Sequence, residues 1–133
     1  MYLLDTNACI QILNDSSPSL VVRLRQQSPG DVYLCSVVKA EMMYGAYHSS
    51  RVAENLRLLH RFFEPFISLP FDDNCCDAYG RIRSDLARIG QLIGPNDLQI
   101  AATAVTNDLT LVTANTNEFG RVAGLSIENW EIP

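Results

Sequence analysis

The chain has 133 residues, 47% of them hydrophobic, and a formal net charge of −5 at pH 7. That length is one domain's worth and buries a sizeable core, which argues against general disorder. No apolar run approaches the roughly 20 residues that span a bilayer. The start, Met1-Tyr2-Leu3-Leu4-Asp5, has no basic segment and meets a carboxylate at once, which speaks against a secretory signal and for a cytoplasmic protein.

Tyr2-Leu3-Leu4 reads as a short buried strand, followed by a helix from Thr6 to Leu13 with Ile10 and Leu13 on one face. Asp15-Ser16-Ser17-Pro18 breaks it, and Pro18 suits the first turn of a second helix through Leu20 and Leu24. After a turn at Ser28–Asp31, Val32–Cys35 is a second strand, and Ser36 is expected to cap a helix running to about Tyr47. A further helix spans Arg51 to Phe63 and ends before Pro65. Phe66–Leu69 is a third strand. Asp72 or Asp73 caps a helix through Leu86 that Gly90 closes. Pro95 opens a helix to about Asn107, Thr110–Thr113 is a fourth strand, and Leu125–Ile127 a short fifth. Apolar strands alternating with helices predict an α/β domain with a mainly parallel sheet of four to five strands. In such sheets ligands bind beyond the carboxyl ends of the strands.

Cys9, Cys35, Cys75 and Cys76 form no Cys-x-x-Cys pair, and no His stands at zinc-ligand spacing, so all four read as small core residues. The negative charge runs against nucleic-acid binding. Its distribution softens that objection: nine of the ten basic residues are Arg, Lys39 being the exception, and Arg suits bidentate phosphate contacts. Arg81, Arg83 and Arg88 are candidate RNA contacts, although charged helix faces are ordinarily just solvated.

Four carboxylates stand near strand ends. Asp5 follows the first strand and would by itself serve as a helix N-cap. Glu41 lies near the apolar stripe of its helix, with Val37, Val38 and Met42. Asp97 occupies the first turn of its helix, where the dipole favours it, yet shares a face with Ala101 and Ala104. Glu118 follows the fourth strand, where an ordinary surface residue would also fit. If the four converge, two of them about 5 Å apart at an effective dielectric of about 20 repel by roughly 3 kcal/mol. Such a group needs raised pKa values or a hard divalent cation, Mg²⁺ or Mn²⁺. A site of that kind suits phosphodiester hydrolysis. No Ser-His-Asp or Cys-His pattern competes with it.

These residues resemble a known family. Leu4-Asp5-Thr6-Asn7 is similar to the opening motif of PIN domains, and Ala40-Glu41 with Gly45 to the second. Gly94-Pro95-Asn96-Asp97-Leu98-Gln99-Ile100-Ala101-Ala102 resembles the third and most specific motif, and Leu111–Asn115 through Glu118-Phe119 the fourth. The resemblance covers essentially the whole chain, 1–133, as a single PIN domain, and is nearest to the tRNA-cleaving VapC toxins of bacterial toxin–antitoxin pairs. It implies Asp5, Glu41 and Asp97 as core acidic and metal-binding residues. Glu118 takes the fourth position, where many relatives carry Asp. Thr6, Thr113 and Asn115 are implied as support. It further implies an endoribonuclease leaving a 3′-hydroxyl and a 5′-phosphate, a homodimer, and a VapB-like antitoxin seated in a groove leading to the acidic pocket. Met42, Met43, Tyr44 and Tyr47 are candidates for that interface, core packing being the plainer expectation.

Two other acidic α/β folds fit less well. A haloacid-dehalogenase phosphatase needs a second Asp where Asn7 stands, and a receiver domain needs a late Lys, of which residues 90–133 have none. The remaining alternative is a PIN-like module that binds RNA or a partner without cutting.

Overall fold

The computed structural model describes residues 1–133. Its elements are β1 (Tyr2–Leu4), α1 (Thr6–Leu13), α2 (Pro18–Arg25), a 3₁₀ turn (Pro29–Asp31), β2 (Val32–Cys35), α3 (Ser36–Tyr47), α4 (Val52–Phe63) and β3 (Ile67–Leu69). There follow α5 (Asp73–Arg88), α6 (Pro95–Thr106), β4 (Thr110–Val112), α7 (Thr116–Phe119) and β5 (Ile127–Glu128). No helix is long and apolar enough to cross a membrane.

The strands form one parallel sheet in the order β3-β2-β1-β4-β5. The chain winds outward from β1 to β3, then returns to pair β4 on the other side of β1. The crevice between β1 and β4 is therefore the topological switch point of the sheet. Leu3, Leu4, Leu34 and Leu111 are wholly buried, as strands covered on both faces require. Helix α6 is buried through Leu98 and from Ile100 to Ala104, with α5 packed along it. Its small residues let both sheet and helix approach.

Local chemistry explains most boundaries. Asp72 caps α5 by accepting from the Asn74 amide at 3.2 Å, and Gly90 follows the helix at φ +66°, in the left-handed region that suits glycine. Pro18 and Pro95 stand at helix starts, where their missing N–H costs nothing. Other details differ from the sequence reading. Cys35, not Ser36, holds the cap position of α3, and Ser36 is its first helical residue, with no side-chain cap bond there. The pairing of Cys35 with Leu69 keeps Cys35 in the strand conformation until the helix begins. Phe66 lies outside β3, Thr113 outside β4, and the last strand sits slightly later, at Ile127–Glu128. The loop after β4 contains one helical turn, α7, that no periodicity announced. Cys76 is exposed while Cys9, Cys35 and Cys75 are buried, because adjacent helical positions cannot share one face. Likewise Met42 is core and Met43 packs against it, but Tyr44 and Tyr47 are 68% and 62% exposed.

The C-terminal segment is tied down by Trp130, which is fully buried. Its ring meets Tyr2 edge-on at 4.8 Å, and its Nε1 donates to Glu128 Oε1 at 3.0 Å. Arg23 lies 5.4 Å over the ring and pairs with the same Glu128 oxygen at 3.1 Å. The half-exposed ion pair contributes about 1 kcal/mol or less, so the aromatic burial dominates. Trp130→Ala should cost roughly 3–5 kcal/mol of stability, read by urea denaturation followed by far-UV circular dichroism. A loss of only about 0.5 kcal/mol, as for a surface site, would refute the anchoring.

Candidate active site at the carboxyl edge of the sheet

Register brings the first site residues together. Leu4 pairs with Val112, so Asp5 and Thr113 leave the sheet side by side, and the Asp5 amide donates to the Val112 carbonyl at 3.1 Å. Asp5 is both things the sequence allowed. It caps α1, its Oδ1 accepting from the Ala8 amide at 2.8 Å, and it is 95% buried at the strand end, only 5% of its surface remaining exposed. Burial pushes its carboxyl above the usual value, and the charges of Glu131 and Glu41 push the same way. The Thr113 hydroxyl and the Ala8 amide pull against them.

Glu41 arrives on the second turn of α3. It accepts a 2.6 Å hydrogen bond from the Thr6 hydroxyl, which joins the start of α1 to α3. Glu118 lies on α7 and accepts from Asn115 Nδ2 at 3.0 Å, while the Asn115 amide donates to Thr113 Oγ1 at 2.9 Å. Thr6, Thr113 and Asn115 thus each hold one of the acidic side chains or the loop that carries it. Asp97 enters from the first turn of α6, half-buried. Its carboxyl is raised from an ordinary 3.8 to about 6, by burial first and then by Glu118, Glu41 and Asp5. Asp97 therefore feels the charge of each of the other three predicted carboxylates.

A fifth acid was missed. Glu131 follows β5, whose Glu128 carbonyl accepts from the Thr113 amide at 2.9 Å, so the chain leaves β5 at the same edge. Its charge reaches Asp5. No motif marks Glu131. The only signal available was its position just after a fifth strand.

The basic candidates stand elsewhere. Arg81, Arg83 and Arg88 are exposed on α5. Arg83 donates to the Tyr79 hydroxyl at 3.0 Å and Arg88 pairs with Asp85 at 3.2 Å. None of the three lines either cleft that contains Glu41. The first of those clefts is a largely apolar groove of about 430 Å³ between α1, α3 and α4, with Ile10, Leu13, Met42 and Leu58 among its walls. The second lies between α3 and α6.

The donor set fits a hard divalent cation. Every candidate ligand is a carboxylate oxygen. Burial holds the nearby Cys9 and Cys35 thiols above their usual range, so neither offers a thiolate. No three acidic side chains close into a complete ligand set by themselves.

Fold and site together define a nuclease of the acidic-pocket α/β class. The PIN domain profile matches residues 2–125. Ribonuclease VapC2 of Rickettsia felis is 35% identical over 132 residues, 98% of each chain. A protein of Shigella flexneri named tRNA(fMet)-specific endonuclease VapC is 36% identical over 97% of each. Among solved structures, VapBC2 of Rickettsia felis bound to a promoter DNA fragment superposes with a TM-score of 0.91, at 35% identity and covering 97% of this chain and 98% of that one. DNA-bound VapBC of Salmonella typhimurium gives 0.91 at 32% identity, covering 97% of each. The chain belongs to the PIN-domain family, in its VapC ribonuclease branch. Nucleases of this branch are in general divalent-metal dependent.

Because the Asp97 carboxyl is raised in the folded state, it takes up protons that the unfolded chain releases. The metal-free protein should therefore lose stability as pH rises from about 4 to about 6. Asp97→Asn lacks the charge. In EDTA it should melt above the wild type at pH 7, the gap closing below pH 4, as followed by thermal denaturation across that range. A gap that does not change with pH would place the effect in packing instead.

Proposed function

We propose that this chain is the toxin of a toxin–antitoxin pair, an endoribonuclease that cuts tRNA in the anticodon stem-loop and thereby stops translation. Mg²⁺ is the resident ion, with Mn²⁺ able to replace it. Asp5 and Asp97 hold the ion directly, while Glu41 and Glu118 complete the pocket, in part through water. When bound, the ion supplies Lewis acidity toward the phosphate and an acidified water for attack.

The protein's own residues prepare that chemistry. Thr6 fixes the Glu41 carboxylate, the Ala8 amide the Asp5 side chain, and Asn115 the Glu118 carboxylate, so the oxygens are oriented before substrate arrives. The Asp97 carboxyl, near 6 without an ion, is the observation that best supports the reading: burial and then the charges of Glu118, Glu41 and Asp5 raise it. A cation restores the charged form. Substrate is single-stranded or loop RNA, which can splay into a pocket that duplex cannot enter.

The partner is a small antitoxin of the VapB kind, as in the assemblies named VapBC above. Its inhibitory segment lies in the groove that begins at Glu41, where Ile10, Met42 and Leu58 offer an apolar bed. The toxin itself is a homodimer.

Purified protein, free of antitoxin, should cut a small-RNA pool into discrete fragments with Mg²⁺ or Mn²⁺ and none with EDTA. Asp97→Asn and Asp5→Asn should each lower the rate by at least about a hundredfold, the scale of losing a charge-stabilising group, with the far-UV spectrum unchanged. Wild-type protein that stays folded yet cuts no tRNA under either ion would sink the reading in favour of a non-cutting RNA-binding module.

A further inference from the structure

The cleft between α3 and α6 has a composition that the cutting chemistry does not use. It is about 510 Å³ in volume and is lined by Val37, Ala40, Glu41, Tyr44, Asn96 and Gln99. The α3 members recur every three or four residues, so they form one face of that helix. Asn96 and Gln99 are likewise one turn apart on α6, and Asp97 stands between them. The cleft thus shares one wall residue, Glu41, with the acidic pocket and is contiguous with Asp97 in the chain.

Tyr44 is the odd feature. It is 68% exposed although the helix that carries it also contributes to the core. His48, one turn further on and outside the cleft, stacks against it with ring centres 5.4 Å apart and planes 13° off parallel. Opposite it, the side-chain amides of Asn96 and Gln99 have no partner within the chain. Gln99 contributes only its main-chain carbonyl, to the Thr103 hydroxyl at 2.8 Å.

We propose that this cleft is a nucleobase subsite: Tyr44 stacks a base flanking the scissile phosphate, and Asn96 and Gln99 read its edge. The proposal rests on the ribonuclease reading above. Its chemistry selects a base over other ligands. The carboxylate in the wall repels a phosphate, whereas the neutral base of a nucleotide is admitted. An aromatic face beside side-chain amides supplies stacking together with donors and acceptors, the pairing by which unstacked RNA bases are recognised.

The test uses a dye-labelled anticodon stem-loop of initiator tRNA. Binding is measured in EDTA by fluorescence anisotropy, and cleavage is measured separately with Mg²⁺. Tyr44→Ala should weaken binding about tenfold, within the range for one stacked base, and raise KM by a similar factor with kcat nearly unchanged. Tyr44→Phe should bind as the wild type does. Replacing one loop nucleotide with an abasic unit should reproduce the loss, and Tyr44→Ala should add nothing to it. Tyr44→Ala protein that binds and cuts like the wild type would overturn the subsite. So would a smaller oligomer for that variant by light scattering, since the ring would then be a subunit contact. Wild-type protein that binds the stem-loop with this Tyr44 dependence but never cuts would refute the ribonuclease reading while leaving the subsite standing.

Discussion

Everything in this protein is arranged around a buried carboxylate at the end of the central strand. Asp5 sits where β1 stops, 5% exposed, with β4 on one side and the start of α1 beneath it. An ionised group in that position costs several kcal/mol unless it is satisfied. The structure satisfies it through the Ala8 amide at the start of α1, and Thr113 at the end of β4 offsets part of the burial. The Ala8 bond and the one from the Asp5 amide to the Val112 carbonyl tie the first helix and the β1–β4 pair to one point. The residue that starts the fold's first helix is thus also the residue that founds the site.

The remaining acids are drawn in by the topology. Reversal of the strand order at β1 opens the sheet's carboxyl edge between β1 and β4, and three separate stretches of chain end there. Helix α3 brings Glu41, the first turn of α6 brings Asp97, and the single turn of α7 brings Glu118. Each is held by a neutral partner or by the helix that carries it. No lysine or arginine neutralises them: the salt bridges of the molecule lie at Arg23–Glu128, Arg51–Glu54 and Arg88–Asp85, none involving the four acids. With a net charge of −5, the chain has no basic counterpart to these acids near the pocket.

Glu41 occupies a double position. It belongs to the acidic pocket, and it forms part of the wall of both the apolar groove along α1 and α4 and the mixed cleft along α6. An inhibitor lying in the groove and a substrate lying in the cleft would meet at one side chain.

Much of this was legible in the chain. Strand and helix order, Pro at helix starts, Gly90 after α5 and the α/β class all follow from local chemistry, because period and capping act over a few residues. The motif around Asp97 was readable for the same reason: Gly-Pro, an acid in the first turn and an alanine face describe a helix entering a tight, polar corner. What could not be read was decided by distance in space. Which face of α3 turns to solvent, separating Met42 from Tyr44, depends on where α4 and α6 pack. Cys76 is exposed because only one of two adjacent helical positions can face the core. Trp130 closes the sheet by packing on Tyr2 and Arg23, over 100 residues away, and so delivers Glu131 to the Asp5 corner. The sequence by itself determined all the longer elements and named four candidate acids, but not the single turn of α7. Only the tertiary structure decided that a fifth joins them, that Asp97 is pushed to about 6, and that an aromatic platform borders the pocket, since burial and mutual charge exist only once the strands pair.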